Sequence, residues 1–70
     1  MRTDDRYYLV YNETQRLFVS ESAASYTPSE VAPMDGATAR VVAKRERSCN
    51  PDDEIRVMVY DEAVDMWLQS

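Results

Sequence analysis

GATARVVAKRER, residues 36–47, decides the fold of this chain. Ala, Arg, Lys and Glu are strong helix formers, and Asp35 just before the stretch is a good N-cap. Asn50-Pro51 enforces a stop beyond it. On a helix, Thr38, Ala39, Val42, Ala43 and Glu46 share one face and Arg40, Lys44 and Arg47 the other, with Val41 on the polar side. On a strand, Ala39, Val41 and Ala43 alternate more cleanly against Arg40, Val42 and Lys44. Propensity favours the helix and with it a small α+β domain. The strand reading gives a small all-β, five-stranded, barrel-like domain instead.

On either side of this stretch the pattern is that of strands. Residues 6–11, RYYLVY, are aromatic and β-branched, with Tyr7, Leu9 and Tyr11 on one strand face and Tyr8 and Val10 on the other. The polar Asn12-Glu13-Thr14-Gln15 and the apolar Leu17-Phe18-Val19 complete a hairpin over residues 6–20. At the other end, EIRVMVY (residues 54–60) alternates Ile55, Val57 and Val59 against Arg56, Met58 and Tyr60. Asp61-Glu62-Ala63-Val64 then reads as a turn and Asp65-Met66-Trp67-Leu68 as a returning strand, which predicts a second hairpin over 54–69. At an offset of 49, residues 8–20 match 57–69 with three identities and five close pairs. An internal duplication explains the match, and so does the shared composition of any two apolar hairpins with polar turns.

Residues 21–35 are small and polar. Thr27-Pro28-Ser29-Glu30 has capping-box form with proline at the first helical position, and Pro33 limits any helix to about one turn. The expectation is a loop carrying a short helical turn. The whole chain, 1–70, then reads as one domain with the order β-β-α-β-β: two antiparallel hairpins forming a sheet, and one helix packed on it.

At 70 residues there is material for one core. Its expected members are Tyr7, Leu9, Tyr11, Leu17, Phe18, Val19, Val42, Ile55, Val57, Met58, Val59, Met66, Trp67 and Leu68. Separate cofactor and substrate lobes do not fit. No apolar run reaches the length of a membrane span, and MRTDDRYY lacks the apolar stretch of a secretory signal. The single Cys49 allows no internal disulfide, which suits a cytoplasmic location, in a host cell if the chain is phage-encoded. Histidine is absent and there is one glycine, so a Ser-His-Asp or Cys-His pair and a glycine-rich phosphate loop are ruled out. The expectation is a non-enzyme without cofactor or metal. Asp52-Asp53-Glu54 lacks the spacing and glycine of a calcium loop.

Thirteen acids against eight bases give a net charge of −5. The charge is unevenly spread: residues 1–35 carry −3, residues 36–47 carry +3, and residues 48–70 carry −5. Asp52, Asp53, Glu54, Asp61, Glu62 and Asp65 are therefore candidates for docking on a basic partner surface, possible mimics of nucleic acid. Acids also favour turns and keep small domains soluble. Tyr8, on the strand face that one helix leaves open, is a candidate partner contact. Arg40, Lys44, Arg45 and Arg47 form the alternative, a track along phosphates, although the same stripe suits the solvated face of a helix. A homodimer completing its sheet across two chains is a third reading.

The segments RYYLVY-NETQ-RLFV, GATARVVAKRER and EIRVMVY-DEAV-DMWL, together with the size and acidity, resemble small phage-encoded inhibitor proteins, including some anti-CRISPR proteins. The likeness lies in architecture and composition and transfers no residue by position. It implies a mechanism class: a rigid domain covers a surface that a nucleic-acid-handling host complex needs, with the acids of 52–54 and 61–65 standing in for phosphates.

Overall fold

A computed structural model describes residues 6–69. Four strands, β1 (Tyr8–Asn12), β2 (Leu17–Val19), β3 (Ala24–Ser25) and β4 (Ile55–Val59), form one antiparallel sheet in the order β3-β2-β1-β4. Two helices complete the fold, α1 (Gly36–Cys49) and α2 (Tyr60–Leu68). The α+β class stands, and the five-stranded barrel does not form.

The stretch 36–47 is helical and runs two residues further, to Cys49. The Asp35 carboxylate accepts from the Thr38 backbone N–H at 2.7 Å, and Asn50 ends the helix as foreseen. Ala39, Val42 and Ala43 face the sheet, while Val41 is left 68% exposed. Three buried side chains on one stripe outweigh the strand alternation, because a helix hides them together.

The first hairpin also stands. β1 and β2 pair Val10 with Val19, Tyr11 with Phe18 and Asn12 with Leu17. Residues 13–16 turn the chain, and Arg16 closes the turn with a left-handed φ of 57°. Tyr7, placed in the first strand and the core, lies before β1 and is 56% exposed.

The second hairpin does not form. β4 leads directly into α2, so Asp61-Glu62-Ala63-Val64 is helical and Asp65-Met66-Trp67-Leu68 is no strand. Three physical reasons favour the helix. Tyr60, Ala63, Met66 and Trp67 recur at helical spacing and face the sheet. Asp61 and Glu62 lie in the first turn, where the helix dipole favours acids. Glu62, Ala63 and Val64 do not readily take the positive φ that a tight hairpin asks for. The duplication reading loses its structural basis with the hairpin.

The sheet is consequently covered on both faces. α1 packs on the face of Tyr8, Val10, Leu17, Val19 and Ile55, joined by Met34. α2 packs on the face of Leu9, Tyr11, Phe18 and Met58, joined by Val31. Ala63, fully buried, lets α2 approach closely. Two covered faces explain why Leu9 and Val10, adjacent in sequence, are both fully buried. Val31, Met34, Ala39, Ala43, Ala63 and Val10 join the core, whereas Leu68 is 66% exposed and Trp67 41% exposed.

Residues 21–35 carry more structure than a loop. β3 extends the sheet, Pro28–Glu30 forms the short 3-10 turn, and Met34 bridges to Tyr8. Thr27 precedes the turn without a side-chain cap bond, so the capping box does not form.

Candidate functional site

The six candidate acids fall into two groups at opposite ends of β4. Asp52, Asp53 and Glu54 precede the strand, and Asp61, Glu62 and Asp65 follow it on α2. From Glu54 to Tyr60 the chain advances roughly 20 Å at about 3.3 Å per residue. All but Asp53 are exposed.

The first group is tied into the hairpin. Asp53 Oδ2 accepts from Asn12 Nδ2 at 2.9 Å and from Gln15 Nε2 at 2.7 Å. The buried Asn12 in turn accepts from the Gln15 backbone N–H through Oδ1. Thr14 Oγ1 accepts from the Glu54 N–H, and the Glu13 N–H donates to the Glu54 carbonyl. Asp53 thus clamps the loop 51–54 to the turn 13–16, leaving Asp52 and Glu54 facing solvent. Arg56 and Glu13 add an exposed ion pair at 3.2 Å, which contributes little by itself.

The basic residues of α1 divide as well. Arg47 Nη2 donates to the Ile55 carbonyl at 3.1 Å, and helical spacing puts Arg40 and Lys44 toward the same flank. Arg45 turns to the other side, where Nη1 donates to the Glu21 carbonyl. The four do not make one track. Cys49 is exposed at the helix end.

Tyr8 is not on an open face. It is half-buried against the α1-side core, and its ring lies over Gly36, where an added Cβ would stand 3.5 Å from it. The exposed aromatics lie on the other face. A half-open cavity of about 200 Å³ is lined by Tyr11, Arg16, Phe18, Tyr26, Met66 and Trp67. The cross-strand neighbours Tyr11 and Phe18 stack with ring centroids 4.7 Å apart. Tyr26 enters from the segment after β3, and Met66 and Trp67 come from the last turns of α2. Trp67 is 41% and Tyr26 68% exposed. Arg16 brings the one charge in the lining, and no carboxylate among the described residues pairs with it.

Sequence reasoning missed this cavity because it needs α2. The signal was the 60-63-66-67 spacing, which turns Met66 and Trp67 back over Tyr11 and Phe18. Arg16 and Tyr26 carried no signal of their own. Among the described residues no cluster of three or more Cys, Asp or Glu is placed to hold a metal ion. Among the described residues no helix is long and apolar enough to cross a membrane. No protein-family model, curated protein or solved structure matches this chain.

Proposed function

We propose that this chain is a small protein-binding module that acts by covering a surface of a larger partner, anchored at the cavity between the hairpin and α2. One observation carries the reading: Trp67 and Tyr26 remain open to solvent around a shaped apolar cavity that also holds Arg16. Trp, Tyr and Arg are the residue types that dominate binding energy at protein interfaces. The cavity is smaller than the roughly 300–1,000 Å³ of a drug-sized ligand site, which favours a single side chain as its occupant. Asp52 and Glu54 at one end of β4, and Asp61, Glu62 and Asp65 at the other, add long-range attraction toward basic patches of the partner. Occlusion of a nucleic-acid-handling host surface, the mechanism implied by the resemblance to phage inhibitors, is one form of this action. The free thiol of Cys49 suits a reducing cytoplasm.

The test is capture of binding proteins on the tagged chain from nuclease-treated bacterial lysate, read by mass spectrometry. The wild type should retain a stoichiometric protein. Trp67→Ala with Tyr26→Ala should lose it while the circular dichroism spectrum is kept. Charge reversal at Asp52, Glu54, Asp61, Glu62 and Asp65 should weaken capture most at low salt. Retention unchanged by the double aromatic variant would overturn the reading, as would recovery of nucleic acid alone in the untreated lysate.

A further inference from the structure

We infer that the cavity recognises an aromatic side chain of the partner with a carboxylate directly beside it, the ring entering between Tyr26 and Trp67 and the carboxylate meeting Arg16. This rests on the protein-binding reading and adds the chemistry of the anchor. Volume comes first. A cavity of about 200 Å³ fits one ring, since a dry cavity of about 150 Å³ already takes up benzene. The walls come next. Tyr11, Phe18, Tyr26 and Trp67 offer edges and faces to a ring, and tilted aromatic pairs gain beyond their buried area.

Charge decides between anchors. Four aromatic walls alone suit a cation, as in cages for alkylated ammonium groups. Arg16 in the same lining repels a cation and attracts an anion. Its guanidinium has no described acid to neutralise it and presents the planar donor fork that matches a carboxylate. The backbone supports the placement. Arg16 holds a left-handed φ of 57°, a conformation that glycine or asparagine takes more easily. An arginine here carries a cost in stability and presents its side chain at the cavity mouth.

Trp67, the one tryptophan of the chain, reports directly. Its emission, excited at the red edge of absorption, is titrated with acetyl-Asp-Phe-amide, acetyl-Asn-Phe-amide and acetyl-Asp-Ala-amide, whose own side chains are dark there. Saturable change is expected with Asp-Phe. It should be about tenfold weaker with Asn-Phe, the order of a hydrogen bond to a charged group. None is expected with Asp-Ala. Arg16→Gly removes the cation and suits the backbone, so it should fold and bind Asp-Phe and Asn-Phe alike. Equal binding of the Asp and Asn peptides by the wild type overturns the inference, and so does an unchanged preference in Arg16→Gly or the absence of any saturable change. If the lysate partner is retained by Arg16→Gly but lost from the Trp67/Tyr26 variant, the carboxylate falls and the protein-binding reading stands. If retention survives the aromatic variant, both fall.

Discussion

Residues 8–20 and 57–69 share Val-Tyr followed by an amide or acid and Glu, and both place Leu or Met, an aromatic and an aliphatic residue seven positions on. In the first region the chain leaves the strand, turns and pairs back on itself; in the second it leaves the strand and coils. The difference lies in the five residues between, 12–16 and 61–65. In the first, Asn12 holds the Gln15 N–H and Arg16 supplies a positive φ, so local polar chemistry closes the turn. In the second, Ala63 and Val64 offer no such bond, and acids at 61 and 62 complement a helix N-terminus. Similar apolar flanks therefore do not choose between hairpin and helix. The residues at the reversal do.

Val64→Pro should break this comparison most sharply. Inside α2 a proline removes a backbone donor and clashes with the preceding turn, at a cost of about 3 kcal/mol or more. In a hairpin turn the same change would cost little. Chemical denaturation should show the large loss together with reduced helical dichroism. A stability near wild type would restore the second hairpin.

In the first region the corresponding weak point is Asn12. Asn12→Ala leaves the Gln15 N–H without a partner and removes one of the two bonds to the Asp53 carboxylate in a part-buried setting, which costs about 1–3 kcal/mol. A double-mutant cycle with Asp53→Ala should show coupling, because one network holds both residues. Additive losses would mean that the loop 51–54 and the turn 13–16 stand independently. Arg16→Gly works in the opposite direction. Relief of the left-handed backbone should raise stability by about 1 kcal/mol, visible as a higher denaturation midpoint. A lowered midpoint would show that the Arg16 side chain holds the turn.

The parts of the fold legible in the sequence were those fixed by local chemistry. The Asp35 cap, the Ala39-Val42-Ala43 stripe and the stop at Asn50 all act within a few residues. So does the first hairpin. What stayed hidden depends on a second layer. Ala63 reads as a turn residue until the face it must cover, Leu9 and Met58, is known. Tyr8 reads as an open-face contact only if one helix serves the sheet. The two acidic groups look continuous in sequence because β4, which separates them, is short in residues and long in space. The cavity combines four separate segments, so in the sequence Phe18 and Trp67 read as core residues, and nothing marked Arg16.

The smallest expected effect concerns the start of α1, the counterpart to α2, whose N-cap Val59 has no side-chain cap bond. The Asp35 carboxyl lies below its ordinary pKa of 3.8 because the Thr38 backbone N–H bonds the ionised form, with a second bond from the Thr38 side chain. A lowered folded pKa means that the unfolded chain binds the proton more readily. The contribution is therefore fully present above pH 3.8 and fades as the pH falls through the lower folded value. Asp35→Ala should lower the unfolding midpoint at neutral pH and should converge on wild type in acid. Asp35→Asn keeps an acceptor for the Thr38 N–H and should recover much of the loss, but without the pH dependence. A gap between wild type and Asp35→Ala that stays constant into acid would show that the cap acts through backbone propensity and not through the ionised carboxylate. α2 provides the internal comparison: Val59→Asp adds an acceptor where none exists, and a midpoint raised only above the aspartate pKa would show that the same chemistry starts either helix.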